Sequence, residues 1–456
     1  MDMSLSQQIE RDYDELLRQT DTPESPGAAI MQHLTQRYIE EHCLSSGKPF
    51  PTFLKPVFLT PPQMQDVRRV TNIIMDALEK VSNLFFESDE YLPLFELAPG
   101  EVDLARIRPG YPRKVQHARL DAFMEGDRLQ FCEFNCDTPG GPGYSDIQVD
   151  LLMETPVMQR FTKKYNVLRD HFMQNVLDSL LDCYAHWGGN TSAKPRILIH
   201  TIYKMDPTME ELLALQKFFI NQGYETVVAQ PQECAFDQGK LFVAGAPVEL
   251  VYRRGATQWW LSNPAEYSEI LKAYRAGAIC MANALNSKLA GKKSLMAVLQ
   301  SEQMADKLTE EEKDIVAKHI PWTRIVRPGA TTYDGQTVDL LPFLRENRAN
   351  MVLKPIGLFG GKNVVVGPDA DDQAWEEALK LAAQETYVAQ EYIPIPTVLL
   401  PVYEPQLHFV AKKVNMNFFA FNGQYAGGMA RVSDSSIINI SAGGGLIPIL
   451  VAEPRS

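Results

Sequence analysis

Arg119 and Asp121 lie two apart on one predicted strand, and Glu133 and Asn135 lie two apart on the next. Side chains alternate across a strand, so Arg119, Asp121, Phe123, Phe131, Glu133 and Asn135 share one face of a β-hairpin if the register allows it. An odd-length loop gives that register. With Gly126, Asp127 and Arg128 in the loop and Glu125 opposite Leu129, Asp121 faces Glu133 and Arg119 faces Asn135; a two-residue turn would set Asp121 against Cys132. The three-residue loop is the expectation. Two ionised carboxylates about 4 Å apart repel by roughly 1 kcal/mol in water and about 4 kcal/mol at a protein-like dielectric, so such a pair recruits a cation. Hard oxygen ligands favour Mg2+, which points to a metal and phosphate site. The alternative is the solvated face of an ordinary hairpin, and the surroundings must decide.

Further candidates lie late in the chain. Lys354 ends a β-type run and precedes Gly357, Gly360, Gly361 and Lys362, before a predicted strand over Asn363 to Val366. Glycines there imply a flexible flap whose amides can close over phosphates while a strand-borne lysine neutralises them. The spacing is not that of a Walker A loop, which would need glycine at Ile356 and Ser or Thr at Asn363. A lysine snorkelling from a strand is the plainer reading of Lys354 alone. The run from Tyr387 to Ile393 passes through Gln390 and Glu391 to Pro394, as a buried strand leading to a hinge would, and backbone groups there could pair with an adenine edge. Arg431 precedes Asn439-Ile440-Ser441-Ala442-Gly443-Gly444-Gly445, whose glycines can present an anion-binding nest of amides. Lys292 and Lys293, after Asn283 and Lys288, otherwise read as a solvated helix start.

These groups need a framework. Helical periodicity marks Ile9 to Leu17, Ala28 to Glu41 and Met64 to Phe86, with Pro-rich breaks around Pro49 to Pro62. After the hairpin, the loop Thr138 to Gly143 leads to Ser145 and Gln148, a capping-box pattern predicting a helix that runs toward Leu180. Gly188 to Ser192 reads as a linker. Beyond it, a strand (Arg196 to His200), a helix (Met209 to Gln222) and a strand (Glu225 to Ala229) follow in α/β order, then a predicted hairpin at Leu241 to Tyr252, a helix near Ala265 to Arg275 and a strand near Ala278 to Met281. From about Asn286 come helices at Lys293 to Gln300 and Thr309 to Lys318, the strand Met351 to Pro355, a helix at Asp372 to Gln384, and antiparallel strands from His408 to Val432.

The chain has 456 residues, enough for about three units. With 44 Lys+Arg against 57 Asp+Glu, its net charge of -13 argues against a general nucleic-acid binder. Met1 to Leu17 lacks the apolar core of a signal peptide, and no apolar run approaches a membrane span, so a cytoplasmic protein with no membrane partner is expected. The six cysteines are scattered and read as reduced thiols, with Cys132 and Cys136 assigned to core. The eight histidines show no metal-ligand spacing. Gly143 to Ile147 lacks the second glycine of a nucleophile elbow, which speaks against a serine hydrolase.

Taken together, Arg119-Leu120-Asp121 and Glu133-Phe134-Asn135-Cys136-Asp137-Thr138-Pro139 resemble the R-x-D and E-[YF]-N-x-D-T-P motifs of the circularly permuted ATP-grasp proteins, the group related to the synthetase domain of glutathionylspermidine synthase. Lys354-Pro355, Gln390-Glu391 and the late Asn439 segment fit too, and the resemblance runs from about residue 105 onward. The Mg2+ ligands precede the ATP-binding lysines here, the reverse of conventional ATP-grasp order. The resemblance implies an α+β or α/β class: a circularly permuted ATP-grasp fold with a small α/β, pre-ATP-grasp-like central domain and a helical N-terminal region. The implied division is 1–190, a helical lead-in plus the Mg2+ hairpin; 191–285, the small α/β domain; and 286–456, the nucleotide-binding part.

By the same resemblance Asp121, Glu133 and Asn135 would bind Mg2+, and Arg119 would face the reacting phosphoryl group. Lys293 and Lys354 would contact ATP phosphates, with Gly360 and Gly361 in the flap and Gln390 and Glu391 at the adenine hinge. Arg431, Asn439, Gly443 and Gly444 would lie near the phosphates or the acceptor. The implied activity is an ATP-dependent carboxylate-amine ligase that forms an amide through an acyl phosphate, releasing ADP and phosphate. Its partners would be a small-molecule or peptide carboxylate and an amine. Phosphotransfer to a stable acceptor and a silent nucleotide-binding scaffold are the alternatives. No amidase region is read ahead of the ligase, and Gly140-Gly141 stand where the polyamine synthetases carry other residues, so glutathione and spermidine are not assigned as substrates.

Overall fold

The hairpin is the edge of a large, mostly antiparallel sheet in a computed structural model that describes residues 3–22, 26–45, 47–202, 208–358, 360–404, 406–438 and 444–455. Among these residues the strand order is Val57–Leu59, Gly445–Pro454, Gln424–Ser433, Leu407–Phe421, His117–Glu125 and Arg128–Asn135. Thr397–Tyr403 pairs with the first half of Leu407–Phe421, and Tyr165–Leu168 with the end of Gly445–Pro454. One sheet therefore joins segments from both ends of the chain.

Helices cover both faces of this sheet. On one face Pro61–Glu87 sets Val67, Val70, Ile74, Leu78 and Val81 at helical spacing against Phe418, Ala420, Ala118 and Leu120. Thr60 and Gln63 form a capping box at its start, with prolines in the first turn. On the other face Val176 and Leu177 of Phe172–Trp187 join a core with Phe419 and Phe421. Burial on both sides explains the almost unbroken apolar run Met416 to Phe421 in an antiparallel strand, where alternation is usual.

Two four-stranded sheets add to the framework. Cys280–Ala282, Leu250–Arg253, Ile197–His200 and Thr226–Ala229 form a parallel sheet in that order, as the α/β reading expects. Thr323–Ile325, Tyr387–Glu391, Met351–Pro355 and Val365–Val366 form an antiparallel sheet. Its back face packs Met351, Leu353 and Ala389 against Trp375 and Leu379 of helix Asp372–Ala382, leaving the face with Val352, Lys354 and Gln390 for the cleft. Among the described residues no helix is long and apolar enough to cross a membrane.

Three sequence expectations fail here. The helix after the hairpin starts at Pro142 with Gly141 as cap, because proline suits a first helical position; Ser145 sits inside it and donates to Gly141 O at 3.0 Å. It stops at Met153 instead of running toward Leu180, since Thr155 caps a new helix at Pro156 and Tyr165–Leu168 is a strand. The hairpin expected over 241–252 is instead a meander of Cys234–Asp237, Lys240–Val243 and Ala246–Val248, while Leu250–Arg253 is fully buried and joins the parallel sheet. The strand expected over 363–366 is confined to Val365–Val366.

Candidate active site

The hairpin reaches the expected pairing by an unexpected route. Asp121 pairs with Glu133 and Arg119 with Asn135, yet Glu125 pairs with Arg128 across a two-residue turn, Gly126 and Asp127. Gly126 takes φ 58°, as the first position of such a tight turn can require. A β-bulge absorbs the parity difference: Asp121 pairs with Glu133 but Ala122 with Phe131, leaving Cys132 as the extra residue. The bulge also turns Phe131 into the core beside Ala122, so it does not share the face of Asp121. Cys136 is buried as expected, whereas Cys132 borders the cleft, correcting its assignment to core.

Arg119, Asp121, Glu133 and Asn135 share a cleft wall with Asn415 and Arg431. Arg119 Nε donates to Asp121 Oδ1 at 2.9 Å, and Arg431 Nη2 donates to Asp121 Oδ2 at 2.6 Å and to Asn415 Oδ1 at 2.8 Å. Burial alone would raise the Asp121 carboxyl, but the two guanidiniums outweigh it and hold the group below the usual carboxylate range. Asn417 Nδ2 donates to Asn415 Oδ1 at 2.6 Å. Asn415, a cleft-wall residue, and Asn417, buried behind it, are residues that sequence reading missed; two asparagines at alternate positions beside the apolar run Phe418 to Phe421 were the available signal.

The smaller antiparallel sheet supplies the opposite wall. Lys354 Nζ donates to Gln390 Oε1 at 2.6 Å and, across the cleft, to the bulge carbonyl of Cys132 at 2.9 Å. Burial pushes the Lys354 ammonium below its ordinary value. Lys293 Nζ lies 3.0 Å from Glu133 Oε1 and 2.8 Å from Leu358 O, tying the flap to the hairpin. Gly360 and Gly361 have φ of 68° and 74°, and Gly361 packs so tightly on Ile437 that a Cβ there would come within 2.5 Å of it. Glu391 accepts from Tyr333 Oη at 3.3 Å and donates its backbone N–H to Trp322 O at 2.8 Å. Neither the snorkelling reading of Lys354 nor the solvated reading of Lys293 survives, since both ammonium groups point into the cleft.

Of the residues singled out in the sequence, Arg119, Asp121, Glu133, Asn135, Lys293, Lys354, Gly360, Gly361, Gln390, Glu391 and Arg431 all line this one cleft. Gly444 is buried just before strand Gly445–Pro454 and does not line it; Asn439 and Gly443 fall outside the described residues. Lys292 is turned away and pairs with Glu101 at 2.7 Å.

Asp121, Glu133 and Asn135 suit Mg2+ by chemistry, being two cross-paired carboxylates with an amide beside them, all hard oxygen donors. Asn135 Nδ2 is buried and has no partner among the described residues, so no bond from that nitrogen opposes presenting the amide oxygen to an ion. Among the described residues no cluster of three or more His, Cys, Asp or Glu side chains could hold a metal, so an asparagine must complete any set here.

The end of the hairpin is anchored elsewhere. Asp137 accepts from Arg253 Nη2 at 2.8 Å and from the Thr257 hydroxyl at 2.7 Å, and Asn283 brackets His117 by accepting from its N–H at 2.7 Å and donating to its carbonyl at 2.9 Å. Burial opposes the Asp137 charge, but Arg253, Lys288 and Thr257 bring its pKa down to about 2.

A family model described as circularly permuted ATP-grasp type 2 matches residues 113–433. The solved structure of a glutathione synthetase-like effector from Globodera pallida is 13% identical, with a TM-score of 0.62 over 98% of this chain and 99% of that one. That likeness concerns the fold. A candidate gamma-glutamylcysteine synthetase from Methylobacillus flagellatus is 10% identical, with a TM-score of 0.39 over 84% of this chain and 86% of that one. No curated protein sequence matches the chain.

Proposed function

The chain belongs to the circularly permuted ATP-grasp type 2 family, and from that premise we propose that it is a cytoplasmic ATP-dependent ligase joining a carboxylate to an amine. The observation that carries this reading is the convergence of Asp121, Glu133, Asn135, Lys293, Lys354, Arg119 and Arg431 on one cleft. A substrate carboxylate takes the γ-phosphoryl group of ATP as ADP leaves, and an amine then displaces phosphate from the acyl phosphate to form the amide. The protein contributes positioning and charge neutralisation.

Asp121, Glu133 and Asn135 would hold Mg2+, which offsets phosphate charge when bound. Lys293 and Lys354 orient the phosphates, and Arg119 and Arg431 direct guanidinium donors to the transferring group. Gln390 and Glu391 serve the adenine end. An acyl phosphate hydrolyses if wet, which gives the Gly360-Gly361 flap its use as a cover. On this reading 1–190 and 286–456 make the ATP-grasp domain and 191–285 the small α/β domain.

The test offers the protein ATP, Mg2+, hydroxylamine and panels of small and peptide carboxylates. ADP release with hydroxamate formation is expected. A persistent phosphorylated product without hydroxamate would mean phosphotransfer, and bound ATP with no ADP release across the panels would mean a scaffold; either result sinks the ligase reading.

A further inference from the structure

Behind the cleft, a buried ion pair grips the loop on which Arg119 rests. Glu211 is the third residue of helix Met209–Asn221 and is fully buried. Its Oε1 accepts from Gly141 N at 2.9 Å and lies 3.4 Å from Arg254 Nη1 at the end of strand Leu250–Arg253. Arg254 Nη2 donates to Thr208 Oγ1 at 3.2 Å, which holds the guanidinium beside the helix start. The neighbouring Gly140 carbonyl accepts from Arg119 Nη1 at 3.1 Å. The sequence Arg254, Glu211, Gly141, Gly140, Arg119 is thus a continuous line of contacts from the parallel sheet to the cleft.

The local residue types are what this line demands. Gly141 has φ 127°, and a Cβ on it would meet Met429 Cε at 2.6 Å and Phe419 Cζ at 3.1 Å, so the loop lies flat on the sheet where no side chain fits. A Cβ on Gly140 would stand 3.0 Å from Arg254 Nη2 and 3.2 Å from Glu211 Oε2. The two glycines therefore make room for the pair. Arg119 has two fixed supports: Asp121 orients one edge of its guanidinium and the Gly140 carbonyl the other. Asp121 is also a proposed Mg2+ ligand, so the Gly140 support alone does not depend on what the cleft contains.

We propose that Glu211, held by Arg254, is a positioning residue: it fixes the Gly140-Gly141 backbone and so aims Arg119 at the transferring phosphoryl group. This rests on the ligase reading for its consequence, though not for its geometry. A misplacement of about 1 Å at such a group can cost on the order of a hundredfold in rate.

Three proteins test it: wild type, Glu211→Gln, and the double variant Glu211→Leu with Arg254→Met, which removes both charges at similar volume so that no buried ion is left alone. Glu211→Gln retains an acceptor for the Gly141 N–H. Two readouts are taken at a temperature where near-UV circular dichroism shows each protein folded: amide hydrogen exchange over 138–143, and kcat for ADP release beside the dissociation constant for Mg–ATP. In the double variant, exchange over 138–143 is expected to rise about tenfold or more and kcat to fall about ten- to a hundredfold, with nucleotide affinity within about twofold. Glu211→Gln, which keeps the acceptor but leaves the Arg254 charge without its counterion, is expected to lose stability yet, where folded, to keep exchange and kcat within about threefold of wild type. Exchange unchanged in the double variant, or exchange raised with kcat unaltered, overturns the proposal. Wild type without ADP release under any donor condition defeats the ligase reading, while the exchange measurement still decides whether Glu211 holds the loop.

Discussion

Two of the aspartates held by arginine in this chain, Asp137 and Asp121, serve opposite ends. Asp137 and Arg253 are sealed: the guanidinium is fully buried and donates to Asp137 and to the carbonyls of Asn283, Gly255 and Ala284, so each of its nitrogens is satisfied. Asp121 looks into a cleft, and near it Arg431 Nε, Asn135 Nδ2 and Asn417 Oδ1 are buried without partners among the described residues. A completed buried network specifies a single packing; a network with capacity left over is suited to a ligand. The arginine–aspartate pairing alone does not separate framework from site. Between these two pairs, the unused hydrogen-bonding capacity beside Asp121 does.

That contrast can be broken most directly at Asp137. Asp137→Asn should leave the Arg253 charge buried without its counterion and lower the folding free energy by about 3–5 kcal/mol. Urea unfolding would read it, and a loss under about 1 kcal/mol would put Asp137 in the same class as Asp121. For Asp121→Asn the expected loss falls on chemistry: Mg2+-dependent ADP release down about a hundredfold, equivalent to about 2.7 kcal/mol of barrier. Its unfolding midpoint should move less than that of Asp137→Asn, because the Arg119 and Arg431 side chains left behind are 15% and 14% exposed and can be hydrated. The reverse ranking of the two variants in stability would overturn the comparison.

Acid sharpens it further. Asp137 has a pKa of about 2 folded against an ordinary 3.8, so the folded state binds fewer protons between those values. Its contribution, about 2 kcal/mol, is complete above pH 4 or so and is lost as pH falls through 2. Stability measured from pH 5 to 2 should therefore fall less steeply in Asp137→Asn than in wild type; parallel curves would show that the carboxylate is not the titrating group. The smallest effect is expected at Lys354→Ala. It removes one of several cleft cations and should weaken ATP binding about tenfold, roughly 1.4 kcal/mol. Unchanged affinity by calorimetry would remove Lys354 from the nucleotide's contacts.

Much of this was legible beforehand because side-chain chemistry and periodicity are local. The pairing of Asp121 with Glu133, the parallel order of 197–282 and the strand carrying Lys354 all follow from alternation and apolar runs. The bulge at Cys132 was not legible: turn length and bulge compensate each other in register, and only the sum is constrained by which faces are polar. The loop after Pro139 was misread for a related reason, since Ser145 and Gln148 have the spacing of a capping box, but Pro142 one residue beyond Gly141 is the stronger start. Asn415 and Asn417 escaped notice because their role depends on strands that pair with them from nearly three hundred residues away.

That long reach has a consequence for synthesis. Asp121 and Arg431 are 310 residues apart, and the strand that covers the His117–Glu125 edge is Leu407–Phe421. While the ribosome is still making the middle of the protein, this edge has no neighbour and stays open to pairing with other chains. Assembly of the cleft must wait for Leu407–Phe421 and Arg431 to emerge, and pairings this distant in sequence are the kind that slow folding.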